Sequence, residues 1–257
     1  MIRSLARNDF KTKFAGSYLG IIWAFVQPVV TVFIYWFVFE KALHAGTQGA
    51  RAGIEVPYVL WLIAGLVPWF YFSEAINSGT HVLQDYSFLV KKVVFRIEVL
   101  PVVRVISSLY VHVFFVAFTL ILYTAYRLYP TWYALQLLYY SFGMVCLCLG
   151  FCYLSSAITV FFRDLSQIVN IAIQVGVWFT PIMWNIKAMN FPGWLRAVLK
   201  LNPMYYVVQG YREALIEHVW FWEHPKETIY FWGLVVVLYL LGRHVFKKLR
   251  PHFADVM

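Results

Sequence analysis

Residues 19–39 read LGIIWAFVQPVVTVFIYWFVF, twenty-one positions without one charged side chain. A helix needs about 20 mostly apolar residues to cross the hydrocarbon of a bilayer. Five further segments carry the same signature: 57–77, 102–126, 132–162, 165–184 and 228–246. The fourth of the six is long enough to tilt or to extend into the cytoplasm. Gln27-Pro28 marks a kink in the first, and Thr180-Pro181 breaks the fifth near its outer end. The sequence therefore predicts an all-α integral membrane protein, with six transmembrane helices in a single transmembrane domain over 1–257.

The composition agrees. Of the 257 residues, 62% are hydrophobic and 13% charged, against a usual 45–50% and about 25%. The mean hydropathy is +0.69. A soluble chain of this size cannot hide that much apolar surface, so its main solvent is lipid. Disorder and nucleic-acid binding are excluded with solubility, despite the net charge of +9. In a membrane protein such an excess marks the cytoplasmic face and its anionic headgroups. Cys146, Cys148 and Cys152 share one apolar run. They read as small lipid-buried fillers rather than as a disulfide or zinc framework. The start, MIRSLARNDFKTKF, has no apolar core and no cleavage site, so no removed signal peptide is expected.

Six spans put both termini on one side. Thirteen of the 21 Lys and Arg residues then fall on that side: in the N-terminal arm, the loop after the second span, the turn at Arg163 and the C-terminal tail. Eight fall opposite. Cytoplasmic loops carry the excess of cations, so both termini are expected inside. Aromatic residues, 20% of the chain, cluster at the span ends. Two readings apply: an interfacial belt, or rings lining a path for sugars.

Three segments are not spans. Residues 1–18 form a short basic stretch with Ile2, Leu5, Phe10 and Phe14 on one half of a helical wheel, interrupted by Asp9 and Lys13. A helix in the inner headgroup plane fits that pattern. The inner loop contains SFLVKKVVFRIEVLP, with Val90, Val93, Val94 and Ile97 on one helical face. Phe88 and Phe95 project together beside Lys91, Lys92 and Arg96, which suits docking to a protein partner. A solvated basic loop is the plainer alternative. The outer segment 185–227 reads as two short helices, with Asn202 as N-cap and Pro203 at the first helical position. Helices this short cannot cross the bilayer, so a re-entrant or interfacial hairpin is expected, acting as an exit gate or as a structural lid. Glu74 and Arg104, near the inner ends of spans two and three, are expected to pair or to touch headgroups, with a transport role as the alternative.

Chemistry is missing from this chain. There is no G-x-x-x-x-G-K-[ST] to cradle ATP. Asp9, Asp85, Glu98, Asp164 and Asp255 are too scattered to hold Mg²⁺ as a lipid-sugar transferase would. The histidines have no ligand spacing, and no Ser-His-Asp arrangement stands out. The chain reads as the membrane half of a machine whose engine lies elsewhere. A membrane enzyme or an assembly subunit acting on lipid-linked sugars is the competing class.

Tyr18-Leu-Gly-Ile-Ile-Trp23, Gln27-Pro28 and IYWFVF at 34–39 resemble the first span of the polysaccharide-exporting ABC-transporter permeases. PYVLWLIAGLVPWF at 57–70 is similar to their second span. Phe162-Arg163-Asp164-Leu165 is similar to their inner turn. Thr180-Pro181-Ile182, LNPMYY at 201–206 and GYREAL at 210–215 resemble their outer segment, and RPHFADVM their C-terminus. IYWFVF, LNPMYY and RPHFADVM look closest to the permeases of wall teichoic acid exporters. O-antigen and capsule exporters share the plan.

The resemblance implies a homodimer in the bacterial cell membrane with two cytoplasmic ATPase chains, which hold the ATP and Mg²⁺. It implies a coupling helix at about 86–97 and outer gate helices at about 193–217. The cargo implied is a polymer on undecaprenyl diphosphate. Phe88, Lys91, Lys92, Phe95, Arg96, Arg163 and Asp164 become the expected ATPase contacts. A sugar polymer cannot shed its water in hydrocarbon, so a path lined by Trp23, Gln27, Thr31, Tyr35, Asn170, Gln174 and Trp178 is expected between subunits. Arg3, Arg7, Lys11 and Lys13 are the expected partners of the diphosphate. Trp194, Asn202, Pro203, Tyr205, Tyr206 and Tyr211 are the expected outer gate.

Overall fold

The computed structural model of the protein describes residues 2–13, 18–44, 46, 50–51, 54–90, 96–186 and 189–256. The described chain is helical apart from one two-residue ladder, β1 (Ala50–Arg51) against β2 (Ile54–Glu55). The helices are α1 (Ile2–Lys13), α2 (Trp23–Trp36), α3 (Tyr58–Asp85), α4 (Ser87–Val90) and α5 (Val99–Ala125), followed by α6 (Gln136–Thr159) and α7 (Leu165–Phe179). Then come α8 (Gly193–Lys200), α9 (Pro203–Arg212), α10 (Pro225–Leu249) and α11 (Phe253–Val256). Short 3₁₀ or π turns extend α2, α6, α9 and α10.

Five helical segments are long and apolar enough to cross a membrane: Gly20–Ala42, Tyr58–Asp85, Val99–Ala125, Trp132–Thr159 and Pro225–His252. They fall on five of the six expected spans. The sixth expected segment, 165–184, differs. Its helix α7 has 15 residues, about 22 Å at 1.5 Å per residue, and stops at Phe179. The cause is local. A residue before proline is pushed out of the helical region, and Thr180 is extended at φ −84°, ψ 126°. The expected span overran the break that Pro181 makes.

α3 runs eight residues beyond the expected end at Asn77, because its last turns also have a wall to pack on. Val82 and Leu83 enter an inner cluster with Val160, Phe246 and Phe253, and Thr80 Oγ1 donates to Ser155 Oγ at 2.9 Å. The middle of α3 is buried nearly all round, as expected of a helix that is apolar on every face. It packs on α2, α5, α6, α7 and α9, and its side chains form the main core with those of α5, α6 and α9.

α6 and α10 cross closely because glycines line the contact. A Cβ on Gly242 would meet the Gly150 carbonyl oxygen at 2.5 Å, and one on Gly143 would meet the Phe231 ring at 2.8 Å. Small residues at a membrane crossing let the backbones approach. The three cysteines are free thiols, and Cys152 Sγ sits where a Gly79 Cβ would be, 2.2 Å away.

Candidate functional site

The hairpin of α8 and α9, expected on the outer side, is built from local rules. Asn202 caps α9: its side chain accepts from the Met204 amide at 3.0 Å, with Pro203 at the first helical position. The Asn202 amide also donates to Thr180 Oγ1 at 2.8 Å, which ties the hairpin to the break after α7. Leu199, Tyr205 and Ile186 close a small apolar cluster between α8, α9 and that break. Tyr206 shares hydrogen bonds with Tyr139 at 3.1 Å and Thr228 at 2.9 Å. Trp194, on α8, is exposed.

Arg212 locks the far end of α9. It is buried, 3% exposed, yet its guanidinium has no carboxylate within salt-bridge distance among the described residues. It donates instead to the Pro181 carbonyl at 2.6 Å, the Ile182 carbonyl at 2.7 Å and the Trp61 carbonyl at 3.5 Å. Its carbon lies 3.4 Å from the centroid of the Trp61 ring, a cation–π contact. Gly65 makes room, since a Cβ there would lie 2.8 Å from Nη2. Burial pulls the guanidinium down to about 9, so it remains a cation at neutral pH. It thereby satisfies carbonyls that the Pro181 break leaves without helical partners.

A second polar device sits deeper. Tyr211 bonds to Ser141 Oγ at 2.7 Å and to His112 Nε2 at 3.0 Å. His112 is also a wall of a cavity of about 430 Å³ between α1, α2, α3 and α5, at the end of the bundle expected to face inward. One polar chain therefore joins α9 of the outer hairpin to that cavity.

At the inner end of the cavity two ion pairs hold α1 against the bundle. Asp9, 3% exposed, lies 3.2 Å from Arg104 Nη1 and accepts from the Tyr86 hydroxyl at 2.5 Å. Arg104 also pairs with Asp85, and Lys13 pairs with Glu74. Asp9 and Lys13, which break the apolar face of α1 in sequence, are the residues that dock it. Arg104 and Glu74 both have protein partners, in line with the pairing reading.

The expected site residues fall as follows. Trp23, Gln27 and Thr31 line the inner cavity. Tyr35 lies further along α2, its ring 6.4 Å from Phe39. Asn170, Gln174 and Trp178 sit on α7, away from that cavity, with Gln174 and Trp178 exposed. Within this chain the α2 set and the α7 set are not brought together. Arg3, Arg7 and Lys11 form an exposed row on α1, whereas Lys13 is taken up by Glu74.

On the face expected to point inward Phe88 is exposed on α4. Arg163 and Ser87 line a shallow depression of about 300 Å³ with Gln84, Val160 and Val256. Arg96 and Asp164 are exposed. Lys91, Lys92 and Phe95 lie outside the described residues, so of the expected 86–97 helix only Ser87–Val90 is described as helical. Asp9, His112 and Arg212 were absent from the expected sites. Arg212 carried the clearest signal, a lone cation in the apolar run MYYVVQGYREALIE.

Among the described residues no group of His, Cys, Asp or Glu is arranged to hold a metal ion. The arrangement is that of a helical membrane scaffold with a polar cavity and a hairpin of two short helices. Comparison with known proteins agrees. Residues 1–216 match the ABC-2 type transporter family. The chain is similar to the O-antigen export system permease protein RfbA of Myxococcus xanthus, at 26% identity over 99% of this chain and 94% of that protein. It is also similar to the protein of the same name from Klebsiella pneumoniae, at 23% identity over 98% of this chain and 93% of that one. The chain belongs to the ABC-2 type transporter family, as a transport subunit rather than an enzyme.

Proposed function

We propose that this chain is the permease of an ABC exporter that carries a polysaccharide from the inner to the outer side of the bacterial cell membrane. The observation that carries the reading is similarity along nearly the whole chain to proteins named as O-antigen export permeases. Two copies of the chain work with two copies of a cytoplasmic ATPase, and both termini lie in the cytoplasm. The polymer rides on undecaprenyl diphosphate, whose charge meets the exposed row Arg3, Arg7 and Lys11 on α1. Wall teichoic acid is the first polymer, on the resemblance of IYWFVF, LNPMYY and RPHFADVM. An O-antigen is the second, favoured by the names of the relatives.

The ATPase docks where Phe88 and the Arg163 depression adjoin on the inner face. Its closure pushes on that face and shifts the helices behind it. The hairpin α8–α9 gates the outer exit, and α2 and α7 line the path between the two subunits. The test is purification from the native membrane in mild detergent, with ATP-driven export measured in inverted vesicles. The expected result is an equimolar P-loop protein and ATP-dependent uptake of polymer. Phe88→Ala with Phe95→Ala should release the ATPase while the chain stays inserted. A chain that purifies alone, or a double variant that couples normally, would overturn the proposal.

A further inference from the structure

We infer that the inner cavity is a binding site for an uncharged sugar unit of the polymer, an inference that rests on the exporter reading above. The cavity's volume of about 430 Å³ lies within the about 300–1,000 Å³ of small-ligand pockets. Its charges are already spent on one another. Lys13 is held by Glu74, and Arg104 by Asp9 and Asp85. An anionic headgroup entering here would have to break those pairs in a setting of low dielectric. The row Arg3, Arg7 and Lys11, by contrast, lies on the other face of α1 and is exposed.

What the cavity offers instead is hydrogen-bonding side chains. Ser107, Ser108 and Gln27 line it, the two serines being otherwise buried. Arg104 Nε is a buried donor without a partner among the described residues. A cavity lined by hydroxyl and amide side chains, beside one unpaired buried donor, suits a ligand that hydrogen-bonds. Hydroxyl groups, each both donor and acceptor, match this mixed set. Aromatic walls from Trp23, Phe70 and Phe115 offer faces for the apolar C–H surface of a sugar ring. Neutral charge, hydroxyl and amide side chains and aromatic walls together describe a saccharide site.

The test places the photo-cross-linking residue p-benzoylphenylalanine at Ser108 and, separately, at Thr31 on the facing wall. Ile121, 68% exposed on the outer half of α5, is the control position. Cells are fed radiolabelled glucose and glucosamine or, in parallel, radiolabelled oleate to mark phospholipid. The expected result is about tenfold more sugar label on the chain from Ser108 or Thr31 than from Ile121, the margin given by 1.4 kcal/mol of preferential occupancy. Adducts carrying only oleate label, or no excess of sugar label at either wall, would overturn the inference. ATP-driven export by the unsubstituted chain is measured alongside. Export with oleate-only adducts sinks the cavity assignment alone, whereas absence of export sinks the exporter reading and the cavity with it.

Discussion

Arg212→Ala removes a single side chain whose every contact is specified. Deletion strips the carbonyls of Pro181 and Ile182 of bonds at 2.6 and 2.7 Å. Each buried carbonyl left bare costs about 1–3 kcal/mol, so the two cost about 2–6 kcal/mol. The stack on Trp61 at 3.4 Å adds about 2 kcal/mol when desolvated. Against this, alanine no longer has to bury a guanidinium, which returns several kcal/mol. The balance is a loss of about 2–4 kcal/mol. That raises the open population of the outer hairpin roughly 30- to 700-fold.

Hydrogen exchange read by mass spectrometry, on the chain with its ATPase in lipid nanodiscs, measures this directly. Amides of α9 should lose protection by that factor, while those of the α6–α10 crossing keep theirs. Export should fall in parallel. Arg212→Lys should be intermediate, because a single ammonium nitrogen lacks the two spaced nitrogens and the flat face with which the guanidinium meets both carbonyls and Trp61. If α9 in the alanine variant kept full protection, or if lysine served as well as arginine, the role given to this fork would be wrong.

Three further outcomes are expected. Gly210→Ala places a Cβ 2.1–2.5 Å from the Tyr140 ring, an overpacking cost of about 1–3 kcal/mol, and should lower the thermal midpoint of the purified complex. Asn202→Ala removes the cap on Met204 and the tie to Thr180. Faster exchange at the Met204 amide should register about 1 kcal/mol for the cap, and Asn202→Asp should retain most of it. Asp9→Ala breaks a buried pair but leaves Asp85 on Arg104, so about 3 kcal/mol is expected. Protease cleavage within α1 in inverted vesicles should rise, and should rise far less for Lys13→Ala, whose partner Glu74 is more exposed.

The membrane class and the helical segments can be read straight from residue order, because both depend on local quantities. Hydropathy sums over neighbours, and a helix rises a fixed distance per residue. The outer hairpin was legible for the same reason. An N-cap side chain reaches only two or three residues along, so Asn202-Pro203 announces the start of α9. The break at Thr180-Pro181 is visible in the sequence as well, and it ends α7 at Phe179, short of the expected 184.

Residue order misleads where partners lie far apart. Asp9 and Lys13 look like flaws in an amphipathic helix until Arg104 and Glu74, distant in sequence, come to meet them. Arg212 is a lone cation in an apolar run until carbonyls about thirty residues earlier turn toward it. His112 and Tyr211 are 99 residues apart and share one hydrogen bond. The row of four cations assigned to a diphosphate becomes three on an exposed face, because folding spends the fourth on a carboxylate. Hydrophobic burial is additive and readable along the chain, whereas pairing of buried polar groups is a matter of which atoms come within 3 Å. The packing of α3 against α5, α6 and α9 settles that.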